Sequence, residues 1–279
     1  MAVYENLTHD QYSGLSGWNW SLIKRLSASP KHLRFDQLFA PKDRPAWQKG
    51  RALHAAVFES ESFAHRYRPW PGVRRGKAYD GFKEKNPGVE LMTEKDYAEV
   101  VRGAESVLSV DWVTAKLLKG RPEVSFTWND PETGLPCKGR ADWLTDKFLM
   151  DLKGVRAGIP VETTIAKYQY HGQMAHYAAG LRANGIEVEG VYIVAVETSG
   201  PMDVSIYELD NGAPEGALYE GEKVRARYME QLAECVESDE WPGRQPFGPE
   251  RLALPPWALS DVASELEFDE IEIEEGAMP

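Results

Sequence analysis

The sequence predicts a mixed α/β fold with a helical N-terminal part, and three observations support this prediction. Start and stop signals indicate several helices before residue 118. Three strand-like runs then follow one another between residues 123 and 153. Further on, the patterns run in the order helix, two strands and helix, as expected for a sheet covered by helices. With 42% hydrophobic residues, the 279-residue chain can bury a sizeable core.

The N-terminal part is predicted to consist of helices and one long loop. A short helix over Ser21–Leu26 is stopped by Ser29-Pro30, and a second helix covers about Trp47–Glu59. A third helix covers Thr93–Leu108. Residues 66–88 contain many prolines and glycines, which predicts an irregular loop, and they are also the most basic part of the chain.

The remaining elements are predicted from apolar alternation and helical spacing. A three-residue turn joins the second and third strands into a hairpin. In chain order, the predicted elements are strands over Glu123–Trp128, Cys137–Leu144 and Phe148–Lys153, a helix over Glu162–Arg182, strands over Gly190–Glu197 and Met202–Leu209, and a helix over Pro214–Val236.

We predict one domain over residues 1–260, in which a helical part covers about 15–118 and a core covers about 119–240. The region from Asp261 to Glu275 contains eight acids and no base. Because so charged a segment cannot bury enough apolar surface to fold alone, residues 261–279 are predicted to be an acidic, disordered tail.

Composition excludes several classes of protein. The net charge of −12 argues against a general coat of basic residues for nucleic acid, although a local basic groove is compatible with it. The two cysteines, Cys137 and Cys235, support neither a disulfide framework nor a four-cysteine zinc site, so we expect a reducing cytoplasm. No apolar run reaches the ~18 residues of a membrane helix, so no membrane partner is expected.

Acidic side chains and one lysine are concentrated on the predicted hairpin. Asp151 and Lys153 share one face of their strand, and the short turn brings Asp142 of the preceding strand close to them. Glu123, on an earlier strand, adds a third carboxylate. Clustered carboxylates beside a lysine suit Mg²⁺, which can polarise a phosphoryl oxygen. The alternative is an ordinary Asp–Lys pair on an exposed hairpin.

Two further groups are candidates for substrate binding. Gln169, Gln173 and Tyr177 are spaced so that they share one side of the predicted helix, where their polar groups can hold phosphate oxygens. The alternative for these residues is a partly buried polar stripe. The basic residues of the loop that can contact phosphates are Arg74, Arg75 and Lys77, and the alternative there is a solvated, mobile loop.

These segments together resemble the PD-(D/E)xK nuclease superfamily. The N-terminal motifs look like the RecE or exodeoxyribonuclease VIII type of phage recombination exonuclease, in the RecB-like branch, and the resemblance covers roughly residues 15–240. The segments that carry it are Ser27–Pro30, Lys49–His54, Arg74–Lys77 with Phe82–Lys85, Tyr168–Gln173, Gly139–Asp142, Asp151–Lys153 and Gln173-x₃-Tyr177. One departure is that Ala141 stands where the superfamily name has proline.

The resemblance implies a restriction-endonuclease-like mixed sheet core and a role for each matching residue. It implies that the metal ligands are Asp142, Asp151, the backbone carbonyl of Leu152 and His54. Lys153 becomes the catalytic lysine and Glu123 matches the acidic residue of the first core strand, while Gln173 and Tyr177 line the DNA path.

The implied activity is a Mg²⁺-dependent exonuclease, with Mn²⁺ as an alternative metal. It would digest linear duplex DNA from 5′ to 3′ and pass the 3′ single strand to a single-strand annealing recombination protein. Relatives form rings around DNA, so a homo-oligomer is expected. Two alternatives are an endonuclease of the same fold and a DNA-end-binding subunit without activity. The joint presence of Asp142, Asp151 and Lys153 argues against the second.

Overall fold

A computed structural model describes residues 1–39, 44–210, 212, 215–244 and 251–254. The described strands are β1 (Ala2–Tyr4), β2 (Tyr67–Trp70), β3 (Glu90–Thr93), β4 (Gly120–Asn129), β5 (Pro136–Thr145), β6 (Phe148–Val155), β7 (Gly190–Glu197) and β8 (Val204–Glu208). The described helices are α1 (His9–Gly14), α2 (Trp20–Ile23), α3 (Pro30–Leu38), α4 (Pro45–Phe58), α5 (Ser60–Arg66), α6 (Lys77–Lys85), α7 (Glu94–Leu108), α8 (Asp111–Leu117), α9 (Val161–Tyr168), α10 (Tyr170–Ala183) and α11 (Ala217–Ser238). A 3₁₀ helix covers Lys24–Ser27.

The chain divides into two units, Met1–Trp241 and Pro242–Pro279. The described residues of the second unit, 242–244 and 251–254, contain neither helix nor strand. The acidic segment 261–279 and the predicted domain end at residue 260 lie outside the described residues.

A six-stranded mixed sheet forms the centre of the first unit, in the order β1-β4-β5-β6-β7-β8. Neighbouring strands are antiparallel except β6 and β7, which are parallel and are connected through α9 and α10. The mixed α/β prediction, with helices flanking the sheet, is therefore confirmed.

Helices cover both faces of the sheet, and the alternation along β6 separates the two cores. Leu149 belongs to the core that α2, α10 and α11 complete. Met150 and Leu152 belong to the core that α4 and α7 complete. Asp151 lies on the same side of the strand as Leu149 and is only 1% exposed. A carboxylate is thus buried on a central strand, where it needs a partner.

Several elements follow the predictions closely. Strand β7 has the predicted bounds, and β5 and β6 form the predicted antiparallel hairpin. Helix α7 begins after Thr93, whose hydroxyl accepts a hydrogen bond from the backbone N–H of Asp96. The helix predicted from Pro214 begins at Ala217 in the structure, and Pro214 itself lies outside the described residues.

Two predictions of local structure are wrong. Residues 66–88 are not one irregular loop, because they contain strand β2, which pairs in parallel with β3, and helix α6. The helix predicted over Glu162–Arg182 is interrupted at Gln169, whose φ of 55° is left-handed and ends α9 before α10 begins. Within the described residues, no helix combines the length and apolar character needed to cross a membrane.

Candidate active site

Asp142 and Leu152 meet where the hairpin pairing of β5 and β6 ends. The strands pair through Trp143↔Met150 and Leu144↔Leu149. Beyond these pairs, Asp142 Oδ2 accepts a hydrogen bond from the Leu152 backbone N–H at 2.8 Å. The side chain thus takes the place of a backbone acceptor and fixes the carboxylate at the end of the paired region.

Helix α4 brings His54 onto these two residues from a part of the chain 98 residues away from Leu152. His54 Nδ1 lies 3.4 Å from Asp142 Oδ2, and His54 Nε2 lies 2.8 Å from the carbonyl oxygen of Leu152. An imidazole, a carboxylate and a main-chain carbonyl therefore converge on one point.

Asp151 and Lys153 form the second half of the site. Lys153 Nζ lies 2.5 Å from Asp151 Oδ2 and 4.6 Å from the centroid of the Tyr170 ring. The side-chain amide of Gln173 donates to Asp151 Oδ1 at 3.2 Å and to the Tyr177 hydroxyl at 3.0 Å. The structure therefore brings these predicted residues together and holds the buried Asp151 carboxylate from two sides.

Glu123 completes the group of carboxylates. The register of β4 and β5 places it opposite Asp142, between the pairs Pro122↔Trp143 and Val124↔Ala141. Its φ of 52° is left-handed, so the strand is locally distorted at this residue. Ligand atoms of His54, Glu123 and Asp142 lie within 4.8 Å of one another.

Arg140 and Tyr12 also lie at the site, although the sequence did not predict a role for them there. Arg140 forms an ion pair with Glu123, donates to the Leu7 carbonyl oxygen at 3.3 Å and lies 5.6 Å from the centroid of the Tyr12 ring. The signal for Arg140 was present, since a residue two positions before Asp142 on a strand shares its face. Tyr12 had no such signal, because its position depends on the N-terminal segment folding back.

The carboxylates influence one another's ionisation strongly. Burial and the charge of Asp142 raise the pKa of Glu123 to about 7 and that of Asp151 to about 6. Burial opposes charge on His54, but Asp142 outweighs it and raises the His54 pKa to about 9. Burial also opposes charge on Lys153, and Asp151 more than compensates, so the Lys153 pKa is raised. The site thus holds closely spaced negative groups that favour positive charge nearby.

The donor set fits a divalent cation. Carboxylate oxygens and a main-chain carbonyl converge at one point, and these are the hard oxygen ligands that Mg²⁺ and Mn²⁺ prefer. The His54 imidazole lies among them and can act as a ligand once a bound cation has displaced its proton. The neighbouring ammonium of Lys153 stays paired with Asp151 and leaves Asp142 and Glu123 to face His54 and Arg140.

Gln169 does not share a helix face with Gln173 and Tyr177, because the helix is interrupted there. Its side-chain amide donates to the Tyr228 hydroxyl at 2.9 Å, and its carbonyl oxygen accepts from the Trp20 indole N–H. The prediction that Gln169, Gln173 and Tyr177 share one side of a helix is therefore wrong for Gln169.

The predicted basic residues make no described contact with the carboxylates of the site. Arg74 donates to Gln48 Oε1 and to the Leu91 carbonyl oxygen, each at 3.1 Å, so it links α4 to β3. Arg75 and Lys77 are exposed. In the described part of the chain, no hydrogen bond or ion pair joins these three residues to the carboxylates.

Comparison with known proteins identifies a solved structure with a similar fold. No curated protein matches the sequence. The crystal structure of a "Putative exonuclease" from Eubacterium rectale is similar over 96% of both chains, with a TM-score of 0.59 and 14% identity. That identity shows a shared fold alone. A second solved structure, SSO0001, covers 76% of this chain and 84% of its own, with 17% identity and a TM-score of 0.29, too low to carry an argument.

The sequence model of one protein family, described as a PDDEXK-like domain of unknown function (DUF3799), matches residues 19–246. This region contains the whole six-stranded sheet except β1, and all of the carboxylates described above. The architecture is that of the restriction-endonuclease-like fold, and nucleases of the PD-(D/E)xK superfamily depend on divalent metals. The chain therefore belongs to the family of PDDEXK-like domains of unknown function (DUF3799).

Proposed function

We propose that this protein is a metal-dependent DNA exonuclease that hydrolyses phosphodiester bonds of linear duplex DNA. One observation carries the proposal: Asp142, His54 and the Leu152 carbonyl converge beside a buried Asp151–Lys153 pair. A structural role alone does not explain why so many carboxylates are held together, because their mutual repulsion costs stability. Such clustering is typical of sites that bind a cation and act on a charged substrate.

The residues that would hold the cation are Asp142, Asp151, the Leu152 carbonyl and His54, with Glu123 as a further carboxylate. When bound, a divalent cation lowers the pKa of water at the site and polarises the phosphoryl oxygens. We propose Mg²⁺ as the resident metal and Mn²⁺ as its substitute, because oxygen ligands predominate in the donor set.

Lys153 would stabilise the negative charge that develops on the phosphate during hydrolysis. Its ammonium is oriented by Asp151, and Gln173 holds that carboxylate from the opposite side. Such preorganisation matters because donors that are already in place need not reorganise when charge develops. The reaction adds water to phosphorus and breaks the P–O3′ bond, which leaves a 5′-phosphate and a 3′-hydroxyl.

The direction of digestion, the oligomeric state and the partner protein are proposed from the resemblance to RecE-type exonucleases. It supports digestion from 5′ to 3′ on one strand of the duplex, formation of a homo-oligomeric ring, and transfer of the 3′ single strand to an annealing protein. The exposed Arg75 and Lys77 would contact backbone phosphates outside the active site.

The proposal is tested by digesting linear and covalently closed circular duplexes with Mg²⁺ or Mn²⁺, with and without EDTA. We expect loss of linear DNA only, dependence on the metal, and no cleavage by Asp142→Asn. Nicking of closed circles would instead indicate an endonuclease. DNA binding without cleavage would indicate an end-binding subunit. Labels on the 5′ or the 3′ end establish the direction, and the proposal requires early release of the 5′ label.

A further inference from the structure

Lys24 is a cation near the candidate active site that lacks an opposite charge. It caps α2 and begins the 3₁₀ helix, and its side chain is partly buried. Within the residues that the structure describes, its ammonium forms no ion pair or hydrogen bond. By contrast, the neighbouring Arg25 is paired with Asp36.

The turn that carries this lysine is anchored beside Lys153. The Trp20 indole N–H donates to the Gln169 carbonyl oxygen at 3.2 Å. The Trp20 ring also fills the space at Gly172, where a Cβ atom would lie 2.3 Å from it. Tyr170 lies between Gln169 and Gly172 in the sequence, and the centroid of its ring is 4.6 Å from Lys153 Nζ. Helix α2 is therefore fixed against the same helix junction that flanks Lys153.

The two charges that lower the pKa of Lys24 are both positive. Burial together with the charges of Lys153 and Arg25 lowers the pKa of Lys24 to about 8. Lys153 and Arg25 are each already neutralised by their own carboxylates. A partly buried ammonium with no counter-charge is unfavourable. The chain contains 44 acidic residues, yet none of those that the structure describes forms an ion pair with Lys24.

We propose that Lys24 is a substrate-binding residue whose ammonium contacts a backbone phosphate of the DNA strand that lies against Lys153. This inference rests on the proposed nuclease function and adds a residue from the helical N-terminal part to the substrate path. A phosphodiester at this position supplies the missing negative charge. It also reduces the repulsion between the two lysines, so binding of DNA is favoured there over binding of a neutral ligand.

Equilibrium binding of a short labelled duplex, with Ca²⁺ in place of Mg²⁺ to prevent cleavage, tests this inference. Lys24→Gln removes the charge, Lys24→Met keeps the aliphatic packing, and Lys24→Arg keeps the charge. Lys31→Gln on α3 is the matched control, because Lys31 is exposed and the change in net charge is the same.

We expect Kd to rise about tenfold for Lys24→Gln and Lys24→Met, which is typical of losing a hydrogen bond to a charged group. The slope of log Kd against log salt should fall by about one, since one phosphate contact is lost. Lys24→Arg should stay within about twofold of the wild type, as should Lys31→Gln. Affinity for Mn²⁺ should not weaken in Lys24→Gln, because the change removes a positive charge near the cation.

Two results would overturn the inference, and they are distinguishable. If the wild type cleaves DNA and Lys24→Gln matches Lys31→Gln in Kd and salt slope, Lys24 does not contact substrate. If the wild type neither binds nor cleaves DNA, the proposed function fails and the inference fails with it.

Discussion

The Asp142 carboxylate accepts the backbone N–H of Leu152 at 2.8 Å, and the carbonyl of the same Leu152 faces His54 Nε2 at 2.8 Å. The backbone N–H and the backbone carbonyl of Leu152 are therefore each in contact with a residue proposed to bind metal. This arrangement ties the carboxylate, the imidazole and the carbonyl to a central strand, so that their relative positions are set by the sheet.

Replacing Asp142 separates its two contributions. Asp142→Asn keeps an oxygen that can accept the Leu152 N–H, whereas Asp142→Ala leaves this buried N–H without its acceptor. Both variants should lose more than about a hundredfold in Mg²⁺-dependent cleavage, since even partners of ligands cost about 10- to 100-fold. Only the alanine variant should also lose about 1–3 kcal/mol of unfolding free energy. Cleavage rates and urea unfolding measure the two effects, and near-normal cleavage by either variant would contradict the assignment.

Gln173 should act through Asp151. Because its amide donates to both Asp151 and Tyr177, Gln173→Ala frees the carboxylate to move away from its proposed position. We expect Mn²⁺ affinity, measured by calorimetry, to fall about 10- to 100-fold. Gln37→Ala, a change of the same size on the exposed part of α3, should leave that affinity unaltered. Equal Mn²⁺ affinities for the two variants would exclude this role.

Charge reversal at Arg75 and Lys77 should weaken DNA binding without altering the chemistry. Both side chains are exposed, and contacts of such residues with phosphates release counterions. The double variant Arg75→Glu and Lys77→Glu should bind DNA more weakly than the wild type. The slope of log Kd against log salt concentration should fall by about two. The control is the double variant Lys119→Glu and Lys223→Glu, which changes the net charge by the same amount at two other exposed positions. A salt slope that changes equally in both double variants would show that the effect is general electrostatics.

His176 predicts a pH dependence of stability. Burial lowers its pKa to about 3 from 6.5, so the unfolded chain takes up a proton that the folded chain does not. Unfolding free energy should therefore fall as pH decreases from 6.5 towards 3, by up to about 1.4 kcal/mol per pH unit from this residue. His176→Gln should reduce that slope. Urea unfolding at several pH values measures it, and parallel curves for the two proteins would rule out this contribution.

Local patterns were sufficient for the hairpin and for β7, because alternation and a short turn lie within a few residues of each other. They also predicted that Asp142, Asp151 and Lys153 lie together, since the hairpin alone fixes their proximity. His54 was placed at the site only by the resemblance, because its contact with Leu152 spans 98 residues.

The incorrect predictions of local structure also arise from contacts between residues that are far apart in the sequence. Prolines and glycines in residues 66–88 predicted a loop, but pairing of β2 with the distant β3 outweighs that local signal. Gln169 is a good helix former by type, but its φ is left-handed and its carbonyl oxygen accepts a hydrogen bond from the distant Trp20, a contact that local patterns do not reveal. The hydrogen bonds of Arg74 to Gln48 and Leu91 lay beyond local patterns because they depend on the tertiary structure, and its contact with DNA stays a prediction.

The central claim is that Asp142, Asp151, His54 and the Leu152 carbonyl hold a divalent cation. Anomalous diffraction from crystals grown with Mn²⁺ tests it most directly. We expect one strong peak about 2.0–2.3 Å from oxygens of Asp142 and Asp151, from the Leu152 carbonyl oxygen and from a ring nitrogen of His54. The peak should be absent in crystals of Asp142→Asn. A Mn²⁺ peak elsewhere in an actively cleaving protein, with none between these residues, would contradict the account.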